Sequence, residues 1–240
     1  MNINQPYQQL AHDLGADYFG VADLTQASAA VAEQGGKDIA QYPRAIALGI
    51  RLMDTIVDQV PRRAEYTSAL NYRLHAYEYV NLRLDQLASR LASALQNDRH
   101  VTLPLPAAER VNDEKICALF SHKLAAHLAG LGWIGKNCLL ITPDHGPRVR
   151  WTSVLTHAPL VPTGRAQTEQ CGDCHMCVDV CPQHAFTGTP YKEDEPREVR
   201  FAAEACDKYF RELEQQGKLK VCGVCLWVCP YGRGNTLLVK

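Results

Sequence analysis

The sequence predicts an α+β domain over residues 1–165 followed by a small cysteine-rich domain over residues 166–240. Three observations carry this reading. Helix and strand patterns are mixed in the first part, and its last two strand candidates are joined by a tight turn, hence antiparallel. Of ten cysteines in 240 residues, eight fall between 171 and 229, after the stretch "LVPTGRAQTEQ". Seven of those eight form two similar runs, and Cys206 lies between them.

Taken in order, "YQQLAHDLG" reads as a short helix ending at Gly15, and "DYFGVADL" and "AIALGI" (45–50) as strands. From Ala69, the apolar residues Leu70, Leu74, Tyr77, Val80, Leu84, Leu87, Leu91 and Leu95 recur every three or four positions. That spacing makes one face of a long amphipathic helix ending before "QNDRH". A second helix is expected over about 114–129, with Gly130 as a cap of positive φ. "CLLIT" and "VRWTSVLT" are strands around the turn "PDHGP".

"AGLGWIGKN" contains both G-x-G-x-x-G and G-x-x-x-x-G-K. Both nucleotide motifs need a strand before the glycines and a helix after them. Here a helix precedes and a strand follows, and Asn137 stands where a P-loop needs Ser or Thr. The glycines therefore read as a helix-to-strand turn.

Composition is ordinary for a globular chain, 46% hydrophobic and 21% charged, with a net charge of −1. No global basic field recruits nucleic acid. The N-terminus lacks a secretory pattern and no run reaches membrane-spanning length, so a cytoplasmic protein without membrane partners is expected. In that setting, cysteines are metal ligands or redox groups rather than disulfides.

"CGDCHMCVDVCP" places Cys171, Cys174, Cys177 and Cys181 in a C-x2-C-x2-C-x3-C-P run, the pattern of bacterial two-cluster [4Fe–4S] ferredoxins. "CGVCLWVCP" repeats its ending with Cys222, Cys225 and Cys229, and Cys206 on the helix "FAAEACDKYFRELEQQ" replaces the missing thiol. In such runs the cysteine before proline serves the other cluster. The expected sets are Cys171, Cys174, Cys177 and Cys229 for one cubane, and Cys206, Cys222, Cys225 and Cys181 for the second. A zinc ribbon fits less well, because both runs end in Cys-Pro. His175 and His184 are left as surface or supporting residues, and Cys117 and Cys138 as inert thiols.

The stretch "HLAGLGWIGKNCLLITPDHGPRVRWTSVLT", followed by the two cysteine runs, resembles the epoxyqueuosine reductase family, which is related to reductive dehalogenases. The resemblance implies a nitroreductase-like, corrinoid-reductase-type N-terminal domain and a ferredoxin-like domain with two [4Fe–4S] clusters. It implies cobalamin as a further cofactor, with flavin as the alternative, and Trp133, Lys136 and Asn137 as cofactor contacts. An external low-potential donor and a small-molecule or corrinoid-protein substrate follow, with no expectation about oligomeric state.

Departures from the family pattern accompany the resemblance. Ile116 stands where the family has its proton-donating Asp, with Asp113 and Glu114 out of register; Trp151, Thr152 and Ser153 replace the family's L-G-E. The family's C-terminal helical repeats have no counterpart in the eleven residues after Cys229, so tRNA is not an expected partner. No catalytic residue is assigned; Tyr66, Tyr72, Tyr77 and Tyr79 are the candidate general acids.

Overall fold

The computed structural model describes residues 2–233. Its strands are β1 (Tyr18–Asp23), β2 (Arg44–Arg51), β3 (Thr102–Leu105), β4 (Trp133–Ile134), β5 (Leu140–Ile141) and β6 (Val149–Thr156). Its helices are α1 (Gln5–Asp13), α2 (Ser28–Gly35), α3 (Lys37–Ala40), α4 (Asp54–Val57), α5 (Tyr66–Tyr72), α6 (Val80–Asn97), α7 (His122–Leu128), α8 (Met176–Asp179), α9 (Ala203–Gln215) and α10 (Val224–Trp227).

The chain groups into two interleaved compact units. A sheet unit comprises Met1–Ile50, Val80–Gly132 and Arg150–Gln167; a cysteine unit comprises Arg51–Tyr79, Trp133–Val149 and Thr168–Lys240. One seam lies two residues from the boundary expected at 165/166. The segments 51–79 and 133–149 join the cysteine unit, a grouping that cysteine distribution does not reveal.

In the sheet unit the strand order is β1-β2-β6-β3, with β1 antiparallel to β2 and β3 antiparallel to β6. Leu87, Leu91 and Leu95 of α6, with Tyr7 and Ala11 of α1, pack on Phe19, Val21, Ile46, Leu48 and Val154 of the strands. Each buried Leu of this stripe is worth about 1.5–3 kcal/mol of transfer free energy. Helix α7 packs against β1, where a Cβ on Gly20 would come within 2.9 Å of the Ala129 Cβ. This cover on both faces explains why the strands read as apolar runs rather than alternating patterns.

Three expectations are corrected. The strands around "PDHGP" do not pair with each other: β5 pairs with β4, and β6 joins the larger sheet beside β2 and β3. The turn closes on a Thr142–Gly146 bridge, and Arg148 and Val149 lead the chain away to the other sheet. The helix expected over 114–129 begins only at His122. Asn112 and Cys117 close a bridge across a tight turn, Ile116 adopts φ 49°, and Ser121 caps α7 by accepting from the Leu124 N–H. Finally, the long helix contains a π-helical stretch, Arg73–Tyr79, between α5 and α6. The wider turn shifts the buried face there to Ala69, Tyr72 and Ala76, leaving Leu70, Leu74 and Tyr77 half-buried.

The end of α7 fits the expected cap. Gly130 has φ +80°; its N–H donates to His127 O, and the Leu131 N–H donates to Ala126 O. This double closure is a Schellman motif, which needs the left-handed conformation glycine adopts without strain.

Candidate iron–sulfur site

The first cysteine run wraps tightly. The Cys174 N–H donates to Cys171 O at 2.9 Å, and α8 begins at the following Met176, placing Cys177 in its first turn. These three thiols line one recess together with Cys229 from the second run. Cys229 is fixed there by two features. It packs with Trp133 and Ile141, and as the residue before Pro230 it is held extended at ψ 123°.

The other four thiols also converge. Cys181 is buried with Ala185 and Phe186, and Cys206 of α9 and Cys225 pack against this cluster. Phe186 stacks on Phe201 with ring centroids 5.2 Å apart, anchoring the chain that carries Cys206 beside the first run. Gly223, at φ +80°, lies so close to Tyr72 that a Cβ would meet the Tyr72 hydroxyl oxygen at 2.8 Å. Only glycine suits both the conformation and the contact, so the second run packs directly on the Tyr72 ring.

Burial pushes the Cys171, Cys177, Cys206 and Cys229 thiols up to about 11 and holds the Cys225 thiol well above its ordinary value. Neighbouring sulfurs add to this: Cys229 and Cys174 act on Cys177, while Cys222 and Cys181 act on Cys206. Such thiols hold their protons at neutral pH, and iron has to displace them. Among the described residues no three Cys, His, Asp or Glu side chains gather closely enough for a single ion. Four soft sulfur donors around one recess fit a cubane, whose thiolates sit on separate iron corners.

Lys136 and Asn137 serve these loops. The Lys136 Nζ donates to Gly172 O at 2.6 Å and Cys174 O at 3.3 Å, bracing the first run, although the residue is only 4% exposed. The Asn137 Nδ2 donates to Cys225 O at 3.1 Å, bracing the second, while its Oδ1 accepts from the Leu139 N–H. Trp133 is 1% exposed, with its ring edge-on to Tyr231 at 4.8 Å. Its indole N–H has no conventional acceptor but bears on the Cys171 sulfur, whose thiolate form it favours.

The remaining candidates lie elsewhere. His175 and His184 are exposed. Tyr66 and Tyr79 are exposed, and Tyr77 meets Tyr72 edge-on. Cys138 is buried, and Cys117 closes the bridge to Asn112. Within the sheet unit, Trp151 packs on Tyr18, the Thr152 hydroxyl donates to Leu105 O at 2.7 Å, and Ser153 bonds His122. These three residues are spent on internal packing. Asp113 and Glu114 are exposed beside the strained Ile116.

The sequence reading missed Arg148, which is 1% exposed and pairs with Asp54 at 2.9 Å and Asp58 at 2.8 Å. It also missed Glu169, whose Oε1 accepts from the Cys171 N–H at 2.7 Å. Adjacency to the cysteine run is the one signal that marks Glu169. Nothing local marks Arg148, because its partners lie about ninety residues earlier.

Residues 170–232 match the family described as 4Fe-4S double cluster binding domain. Among curated proteins, the chain is 35% identical over 112 residues to an epoxyqueuosine reductase of Listeria monocytogenes, covering 46% of this chain and 29% of that protein. It is 28% identical over 236 residues to an epoxyqueuosine reductase of Pseudomonas aeruginosa, covering 92% of this chain and 60% of the relative. The alignments thus span less than two thirds of these relatives. Among solved structures, a reductive dehalogenase described in terms of B12-dependent dehalogenation has TM-score 0.69 at 21% identity, over 96% of this chain and 32% of its own. An epoxyqueuosine reductase solved with a modified tRNA stem loop has TM-score 0.58 at 19% identity, over 97% and 66%. The expectation that tRNA is not a partner finds no support in these likenesses. No described helix is long and apolar enough to cross a membrane. The cysteine unit carries a 4Fe-4S double cluster binding domain, in a chain that resembles epoxyqueuosine reductases in sequence and both these enzymes and reductive dehalogenases in fold.

Proposed function

We propose that the chain is an iron–sulfur oxidoreductase whose cysteine unit holds two [4Fe–4S] clusters. One is held by Cys171, Cys174, Cys177 and Cys229, the other by Cys181, Cys206, Cys222 and Cys225. The observation that carries this reading is the recess in which Cys229 stands with the three thiols of the other run. Two independent sites, one per run, would not need that exchange. When bound, cubanes supply one-electron carriers whose potentials the surrounding protein sets. The chain's own part is to present eight thiols in two groups, to brace their loops through Lys136 and Asn137, and to cover one group with Trp133 and Tyr231.

The acceptor we favour is a corrinoid bound to a nitroreductase-like sheet unit, with flavin as its replacement. Support comes from the family resemblance and from the B12-dependent dehalogenation ascribed to the similar dehalogenase structure. Trp133, Lys136 and Asn137 do not fit as its contacts. They are buried, and Lys136 and Asn137 donate to carbonyls of the cysteine loops. No residue is assigned to hold the corrinoid and no step is derived through it. The division 1–165 and 166–240 describes where the two functions reside in sequence. Reduction of a small molecule or a corrinoid protein, fed by an external low-potential donor in the cytoplasm, completes the reading. An epoxide on tRNA belongs among the substrates to be tried.

The experiment is cofactor identification after anaerobic purification, followed by a single substitution. About eight irons and eight sulfides per chain are expected from the two-cubane count; stoichiometric zinc with little iron would refute the reading. Cys206→Ser should perturb one cubane signal in electron paramagnetic resonance and leave the other, whereas Cys117→Ser should leave both. Added cobalamin should bind without a nitrogen ligand to cobalt. No binding at tens of micromolar would remove the corrinoid, and retained flavin would put flavin in its place.

A further inference from the structure

The turn between Gly132 and Leu139 places positive electrostatics on one of the two thiol groups and not equally on the other. Lys136 is a buried ammonium held by two carbonyls, Gly172 O and Cys174 O, inside the C-x2-C loop of the first run. Two carbonyls orient the ammonium but carry no charge to cancel it. Among the described residues no carboxylate pairs with Lys136. The indole N–H of Trp133 is buried without a conventional acceptor. It and the Lys136 backbone N–H both favour negative charge on Cys171, which is the behaviour of donors aimed at a sulfur. An orphaned buried donor is rare in a folded protein and calls for an explanation. The Cys171 sulfur beside it supplies one.

The opposing charge is Glu169. Its carboxylate accepts from the Cys171 N–H and disfavours negative charge on the same sulfur. Asn137, the neighbour of Lys136, reaches the second run instead, at Cys225 O, and brings no charge with it. The second group has its own cation, Arg63, acting on Cys222.

Accepting an electron makes a thiolate-bound cubane more negative by one charge. A buried cation and sulfur-directed N–H groups stabilise that added charge, weakly screened by solvent, and so raise the reduction potential. Building on the two-cluster reading above, we infer that Trp133 and Lys136 are positioning residues that raise the reduction potential of the cluster on Cys171, Cys174, Cys177 and Cys229, with Glu169 acting in the opposite sense. The W-I-G-K-N stretch is thereby a device for setting the order of the two clusters as electron carriers. It is a role distinct from contacting a second cofactor.

The test is an anaerobic redox titration followed by electron paramagnetic resonance, on wild type and on Lys136→Met, Lys136→Arg, Trp133→Phe and Glu169→Gln. Lys136→Met should lower the reduced-to-oxidised ratio of one cluster at least tenfold at fixed potential, about 59 mV for a one-electron couple. The other cluster should not move. Lys136→Arg should restore the ratio, Trp133→Phe should lower it by less, and Glu169→Gln should raise it. Trp133→Phe keeps the ring against Tyr231, so it decides the matter if Lys136→Met loses the cluster. A lowered potential in that variant then upholds the inference, and an unmoved one overturns it, leaving Lys136 a loop brace alone. Full iron content with both potentials unchanged in all four variants likewise overturns it. A wild-type protein without two cubanes would defeat the functional reading itself, and this inference with it; iron content measured first separates the two failures.

Discussion

The two units are stabilised by different physics. The sheet unit buries a continuous apolar stripe, from Tyr7 and Ala11 through Leu87, Leu91 and Leu95, against four strands. The cysteine unit buries apolar residues too, among them Leu52, Val57, Val60, Leu140, Val224 and Leu226, but the apolar clusters around Cys229 and Cys181 are small, and α8 and α10, which carry Cys177 and Cys225, are four residues long. Isolated helices of that length have no stability of their own. Its interior also contains thiols, the Lys136 side chain and the Arg148 guanidinium. The contrast leads us to expect that the sheet unit folds on hydrophobic burial, while the thiol-bearing loops of the cysteine unit gain order when metal binds. Burial disfavours the thiolate form until iron bonds to it.

The largest effect that sharpens this comparison is in the apolar stripe. Leu91→Ala should cost about 2–5 kcal/mol, by lost transfer energy and the cavity it leaves. The loss should appear in chemical denaturation of the sheet unit while iron per folded chain stays at the wild-type value. Loss of iron from folded protein would show that the two units are not separately supported.

Next is Arg148, the buried cation between Asp54 and Asp58. Arg148→Met leaves the partly exposed Asp58 without its cation and Asp54 with Arg51 alone, for which about 1–3 kcal/mol is expected, less than for a fully buried pair. The additional substitutions Asp54→Asn and Asp58→Asn should recover part of that cost. If the triple variant were less stable than Arg148→Met alone, the charge account would be wrong.

A smaller effect comes from pH. Burial holds the His122 imidazole down to about 4, outweighing the hydrogen bond to Pro106 O that favours its charged form. The unfolded chain takes up this proton near pH 6.5, but the folded chain refuses it until about pH 4. The stability that His122 contributes is therefore complete above pH 6.5 and lost as pH falls toward 4. In His122→Gln that segment of the stability profile should flatten. An unchanged profile would place the acid sensitivity elsewhere.

Much of this was legible in sequence where local chemistry decides the outcome. Gly130 announced the end of α7, the spacing of Leu84 through Leu95 announced the face of α6, and the two cysteine runs announced a double-cluster domain by spacing. What escaped notice depends on contacts distant in sequence. The stretch after Glu114 looks helical, but Asn112 captures Cys117 across the chain and delays the helix to His122. "PDHGP" looks like a hairpin turn, yet its two strands serve different sheets. The π stretch moved the buried face by a residue between Leu70 and Val80, which no period-3.6 count foresees. Lys136 and Asn137 stood out as expected cofactor contacts, while their partners in the structure, Gly172, Cys174 and Cys225, lie 36 to 88 residues away.

Iron is expected to hold the thiol-bearing part of the cysteine unit in its fold, in addition to apolar burial. Hydrogen–deuterium exchange of the anaerobic cluster-loaded protein, compared with protein stripped by chelation under reducing conditions, tests it directly. Amide protection should collapse in residues 51–79, 133–149 and 168–233 on iron removal, and persist in β1, β2, β6 and α6. Equal loss across both units, or protection around Cys171–Cys181 and Cys222–Cys229 that survives without iron, would contradict the account.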